Sequence, residues 1–215
     1  MTEEPPDRPR RGALDRNTSF TDAAVAIALT LLVLPLVDEA RDPPPGETVW
    51  TQMAEDSGDL LAFLVSFLVI ARFWTLHRRL FESLVDFDER LLSLTTLWLL
   101  FIVFLPYPTA RLFVGSQTTT DAVVLYLATL VLISLVGLAQ TWYVRRHPRL
   151  RLPVPDTVWR DRNASAWAAV AAFGLAIGVA FVSPFAGLLT LLLVVPLQSV
   201  AVRAARRRSA RAPRE

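Results

Sequence analysis

Residues 121–143 read DAVVLYLATLVLISLVGLAQTWY, a stretch whose only charge is Asp121 at its start. A helix rises about 1.5 Å per residue and the hydrocarbon core of a bilayer is about 30 Å thick, so about twenty apolar residues span it. This stretch is therefore read as a transmembrane helix. Working outward, the same test finds five more, at 21–37, 60–81, 90–108, 164–182 and 185–203. The expected fold class is an all-α integral membrane protein of six transmembrane helices, with a six-helix transmembrane body over 20–203 between a flexible amino-terminal tail, 1–19, and a basic tail, 204–215.

The composition agrees. The 215 residues are 53% hydrophobic and only 20% charged, which is too apolar for a water-soluble surface. There is no cysteine, the two histidines His77 and His147 lie far apart, and no HExxH, GxSxG or phosphate-cradling glycine loop occurs. An enzyme, a metal site and a bound cofactor are not expected.

All 22 basic residues are arginine, and their placement sets the topology. The first 19 residues are polar, lack the apolar core and cleavage site of a secretory signal, and read as a flexible tail. Segment 38–59 is acidic and broken by Pro43, Pro44 and Pro45, whereas 145–162 carries six arginines. With six spans, the amino tail, the loops after spans two and four and the carboxyl tail share one face. That face holds Arg8, Arg10, Arg11, Arg16, Arg78, Arg79, Arg90, the six of 145–162 and those from Arg203 onward; the other holds Arg41 and Arg111. Arginine-rich short loops stay on the cytoplasmic side during insertion, so both termini are expected in the cytoplasm. Arginines beside membrane spans point to anionic lipid, not to nucleic acid. The absence of lysine with abundant arginine and alanine suggests a high-GC bacterial source and a plasma membrane.

Span one holds the residues of most interest. Asp22 stands where a helix N-cap belongs, and Thr120 with Asp121 opens span four in the same way, as capping residues or as traces of a 3+3 inverted repeat. Ile27, Thr30 and Leu34, at i, i+3 and i+7, share a face of a helix kept slim by Ala23, Ala24, Ala26 and Ala28. Such a stripe is either ordinary packing surface or, around a symmetry axis, an apolar constriction at which a permeating ion sheds water. No TVGYG-type carbonyl filter is present. Arg72, a charge inside span two, either pairs with Asp22 or snorkels to the interface. His77, beside Arg78 and Arg79, is a structural residue or a pH sensor. Gly174 and Gly178 form a GxxxG motif expected to pack closely against another helix, and Pro35 and Pro196 should bend spans one and six.

These residues also resemble a family. Arg16, Phe20, Thr21 and Asp22 are similar to the RxxxFSD signature that opens the first helix of the transmembrane-protein-175 family of endolysosomal and bacterial potassium channels. FLVIARFWTLHRRLF at 67–81 resembles its second helix, with Trp74 and His77 at the tryptophan and histidine, and LPYPTARL at 105–112 resembles the close of its third. The resemblance implies a homotetramer whose first helices surround a central potassium pore, with constricting layers on Ile27 and Leu34 and a threonine layer on Thr30. It further implies that Arg16, Phe20, Thr21, Asp22, Trp74 and His77 brace the cytoplasmic end of that helix. Thr21 keeps the hydroxyl of the family's serine, and Thr95 and Thr96 stand where relatives carry an asparagine. A proton-permeable channel, a secondary transporter and a membrane scaffold are the alternatives.

Overall fold

A backbone in hydrocarbon has no water to bond, so apolar runs of this length close their hydrogen bonds internally as helices. The computed structural model describes residues 8–41, 46, 48–112 and 118–190, and helices account for the regular structure among them. In chain order these are α1 (Arg8–Leu31), α2 (Leu34–Glu39), α3 (Val49–Glu55), α4 (Ser57–Phe81), α5 (Glu89–Phe104), α6 (Pro106–Ala110), α7 (Thr120–Arg146), α8 (Asp156–Ala180) and α9 (Pro184–Leu189). Among the described residues five segments are long and apolar enough to cross a membrane: Gly12–Asp38, Ser57–Phe81, Glu89–Ala110, Thr120–Arg146 and Thr157–Ala180. The start of the expected sixth span is α9; the rest of it, Pro196 and the basic tail lie outside the described residues.

Two boundaries differ from expectation. Helix α1 begins at Arg8, so residues 8–19, expected as a flexible tail, are helical, and Asp22 lies inside the helix and not at its cap. The cause is tertiary: Leu14 is buried with Leu80, Phe81, Leu84, Leu91 and Trp159 in a small core, and that burial holds a helix which propensity alone would not. At its other end α1 stops where Pro35, lacking an N–H and crowding the preceding turn, resets the chain as α2. Pro106 splits α5 from α6 in the same manner. For α7, the residue in the N-cap position is Thr119, so Thr120 and Asp121 belong to the first turn.

Helix α7 is the central pillar. It packs along α8 and against α5, while α1 leans on α5 and α4. The larger core joins Val25 and Ala28 of α1 and Leu32 just beyond it, Ile70 of α4, Trp98 and Ile102 of α5, Tyr126, Leu127, Leu130 and Ile133 of α7 and Ala172, Phe173, Ala176 and Ala180 of α8. At the α8–α9 corner a Cβ on Gly187 would lie 2.7 Å from the Ala180 Cβ, so the two helices meet there because glycine has none. Gly174 and Gly178 behave otherwise. Both are exposed and a Cβ at either meets nothing within 4 Å, because α8 turns Ala172, Phe173, Ala176 and Ala180 toward its neighbours instead.

A second, smaller core closes the arginine-rich end. Segment 83–86 lies against 150–152, with the Val85 N–H bonded to the Leu150 carbonyl and the Leu152 N–H to the Ser83 carbonyl, each at 2.9 Å. Arg151 and Arg162 lie over the Trp159 ring at 4.9 and 5.1 Å from its centroid. Asp88 ties the loop together: it caps α5 by accepting from the Leu91 N–H at 3.0 Å, and it accepts from the Tyr143 hydroxyl at 2.7 Å and Arg149 at 3.3 Å. Partial burial pushes its carboxyl upward, but these three donors outweigh that and hold it below the usual carboxylate range. A depressed folded-state pKa stabilises above the unfolded value, about 3.9, and that stability is lost as pH falls through the lowered value. The melting temperature in micelles should therefore drop on acidification below about pH 4, and Asp88→Asn, which can still cap, should flatten that part of the profile.

Candidate functional site

The stripe on span one is open in the protomer. Ile27 is 58% exposed and Leu34 50%, with Thr30, Phe20, Ala23 and Leu31 exposed on the same side. The opposite side of α1 is buried: Thr21, Val25, Ala28 and Leu32 are all at 3% exposure or below. One helix thus has a face sealed against its own bundle and an apolar face that the bundle leaves uncovered. The Thr30 hydroxyl donates to the Ile27 carbonyl at 2.8 Å, which leaves its lone pairs free to face outward. Leu34 follows the break at Leu32–Val33, so its position on the stripe depends on how Pro35 resets the chain.

Behind the stripe stands a polar and aromatic brace. The Trp74 indole Nε1 donates to the Asp22 carboxylate at 2.6 Å, joining α4 to α1 through a charge-assisted bond. One turn further along α4, His77 is buried, stacked parallel on Trp98 of α5 at 4.2 Å between ring centroids and tilted against Phe81 at 4.4 Å. Arg78 lies over the Trp74 ring at 5.5 Å. Asp22, Trp74 and His77 are therefore brought to one place, with Trp98 as the member that links them to α5. Thr21 does not join by its hydroxyl, which donates to the Asn17 carbonyl at 2.9 Å while its side chain is buried. Arg16 and Phe20 are exposed on the helix below. Nor does Arg72 meet Asp22. Two residues before Trp74 on a helix is a turn of about 200°, so Arg72 faces the opposite side of α4, where it lines a cleft with Arg79 and Arg162.

Comparison with known proteins bears on this arrangement. The family model for the endosomal/lysosomal potassium channel TMEM175 matches residues 16–106, beginning on the arginine of the signature and ending on the proline that opens α6. A potassium channel of Streptomyces collinus is 31% identical over 173 residues, which is 78% of this chain and 82% of that protein. The chain belongs to the TMEM175 family. A potassium channel of Chamaesiphon minutus is 30% identical over 106 residues, 49% of this chain and 52% of that one. The human endosomal/lysosomal proton channel TMEM175 is 28% identical over 143 residues, 64% of this chain but 27% of the human protein. The crystal structure of a lysosomal potassium-selective channel TMEM175 homolog from Chamaesiphon minutus shares the fold, with a TM-score of 0.64 at 24% identity over 92% of this chain and 98% of that one.

In this TMEM175 chain some site residues escaped the sequence reading. Gln140, 1% exposed in the middle of the arginine-side half of α7, donates from Nε2 to the Thr95 hydroxyl at 3.3 Å. Thr95 is thereby joined to α7, while Thr96 turns outward and bonds the Leu92 carbonyl. Toward the other end a chain of hydroxyls joins three helices: Thr109 of α6 donates to Ser66 of α4 at 3.0 Å, and Ser66 to Tyr126 of α7 at 3.1 Å. The signal for Gln140 was available, since an amide inside an apolar span must find a partner. No comparable signal marks Trp98, because a tryptophan in an apolar helix faces lipid as readily as a core.

Proposed function

We propose that this chain forms a potassium-permeable channel in which four copies place α1 around a central axis. Ile27 and Leu34 form the apolar constricting layers and Thr30 supplies a ring of hydroxyls between them. The observation that carries the reading is the open stripe of α1, backed by a helix face sealed against the bundle and clamped by the Asp22–Trp74 bond. An ion at such a ring sheds water or crosses a dewetted gap, and potassium sheds water at lower cost than sodium. In the same reading six spans place both termini and the arginine-rich core on the cytoplasmic side of a bacterial plasma membrane, in contact with anionic lipid. Arg16, Phe20, Thr21, Asp22, Trp74 and His77 hold the cytoplasmic end of α1, partly by packing.

Relatives named potassium channels from two bacteria support potassium as the permeant ion. Vertebrate relatives are named proton channels, so proton permeation is the second reading. A coupled transporter is disfavoured because such proteins bind at charged or unwound segments near the midplane. The test is the reversal potential of purified protein in planar bilayers with potassium on one side and sodium on the other, at equal pH. Reversal toward the potassium equilibrium potential is expected. A reversal potential that follows an imposed pH gradient would favour the proton reading, and no current from folded tetramer would overturn both.

A further inference from the structure

Helix α4 leans mainly on α1 and α6, and α8 leans on α7, so a cleft of about 650 Å³ remains between α4, α7 and α8. That volume lies in the range of pockets that enclose a small organic ligand. Its depth is apolar: Val65 and Leu68 line it, and Phe73 and Phe173 pack against each other at a tilt there, ring centroids 6.3 Å apart. Its arginine-rich end is strapped by Arg162, which donates to the Arg79 carbonyl at 2.7 Å and the Ser83 hydroxyl at 3.3 Å. Arg72 and Arg79 line the cleft as well, and so do Glu82 and Asp161. Glu82 is met by Arg78 at 3.2 Å, so Arg78, Arg79 and Arg162 stand around two carboxylates and the rim is positive, while Arg72 lines the cleft further in, next to Phe73.

Between rim and depth the wall is polar and, at Ser165, unsatisfied. Ser165 and His77 both line the cleft at 7% exposure; the Ser165 Oγ has no hydrogen-bond partner among the described residues, while the His77 ring lies beside the Gln140 amide. Buried polar atoms without partners are costly unless something in the cleft meets them. Apart from Arg72, the order along the cleft is therefore cationic, then hydrogen-bonding, then apolar. A membrane phospholipid presents the complementary sequence of phosphate, ester and acyl chain.

We propose that this cleft binds one anionic phospholipid per subunit, its phosphate at Arg79 and Arg162, its ester oxygens beside Ser165, and an acyl chain along Val65, Leu68 and the outer surface of the Phe73–Phe173 pair. Gly137 offers a clean test. It lines the cleft and a Cβ there meets nothing within 4 Å, so the larger side chain of Gly137→Leu extends into the cleft and takes up its space. The full chain is reconstituted with phosphatidylglycerol, phosphatidylcholine or palmitate, returned to detergent, and the lipid retained per subunit is counted by native mass spectrometry. Phosphatidylglycerol should be retained over the other two, roughly tenfold less in Gly137→Leu, whose melting temperature should be unchanged or higher. Arg79→Gln, at an exposed position that needs no repacking, should retain phosphatidylglycerol and phosphatidylcholine alike. Equal retention by wild type and Gly137→Leu, no preference for the anionic lipid, or no lipid retained by wild type would each overturn the site. Palmitate held in place of phosphatidylglycerol would overturn the phospholipid. Because retention is counted without ion flux, failure here and failure of the channel reading are told apart.

Discussion

Ile27→Asn is expected to raise potassium conductance by roughly tenfold and to lower the preference over sodium. Ile27 is the more exposed of the two apolar residues proposed to constrict the pore, and its side chain touches little of its own bundle. A ring of four isoleucines repels water, so an ion crossing it loses hydration that nothing replaces. Four asparagines would supply carbonyl oxygens and amide hydrogens at that point, and removing about 1.4 kcal/mol from a barrier multiplies a rate by ten. The same wetting lets sodium cross with its shell, which is why selectivity should fall. Single-channel recording of the variant, with its reversal potential under potassium against sodium, reads both effects. Since the side chain faces away from the core, its folding should be little changed, and unaltered permeation from stable protein would move the pore lining to another helix.

Trp98→Ala is expected to produce the largest loss of stability, about 3 to 5 kcal/mol by the usual cost of emptying a buried aromatic site. The indole is 2% exposed, belongs to the larger core and carries the stacked His77 ring. Its removal leaves a void between α4 and α5 and takes away the surface that fixes the imidazole beside Trp74. The loss is one of packing and not of transfer from water, because lipid tails are as apolar as the core. Denaturation in mixed micelles measures it. A cost below about 1 kcal/mol would mean that the site collapses and that His77 is held by other neighbours. A fall in melting temperature with intact single-channel properties would separate the stability of the brace from its control of α1.

Much of this arrangement could be read from residues alone, and the reasons for the remainder are specific. Helices α4, α5 and α7 start within a few residues of where charge and proline bounded the apolar runs, since a charge at a membrane edge marks that edge. Trp74 and Asp22 were expected in one network because both belong to a recognisable motif. The start of α1 was not legible: Pro9, Gly12 and several arginines argue against a helix locally, and only the burial of Leu14 against residues of α4, α5 and α8 explains it. The Thr21–Asp22 pair before an apolar run reads as a cap for the same local reason. Pairing of Arg72 with Asp22 is suggested by the need of an intramembrane charge for a partner, with snorkelling as the alternative, yet Asp22 is taken by Trp74, and the turn of a helix sends residues two apart to opposite sides. The glycines of α8 misled in the reverse sense, since a GxxxG motif announces that a helix can be approached closely and not that a partner within the same chain does so.

The uninterrupted course of α1 has a mechanical meaning. Leu14 is anchored in the arginine-rich core, Ile27 stands 13 residues away, about 20 Å along the axis, and no break intervenes. A rotation or tilt imposed on that core by a change in lipid charge or by a bound protein would travel along a rigid rod and arrive at Ile27 undiminished. At Leu32–Val33 the rod ends, so the torque stops there, and Leu34 need not follow. In the proposed pore the two apolar layers would thus be mechanically independent: the one at Ile27 steered from the arginine-rich core, the one at Leu34 following α2.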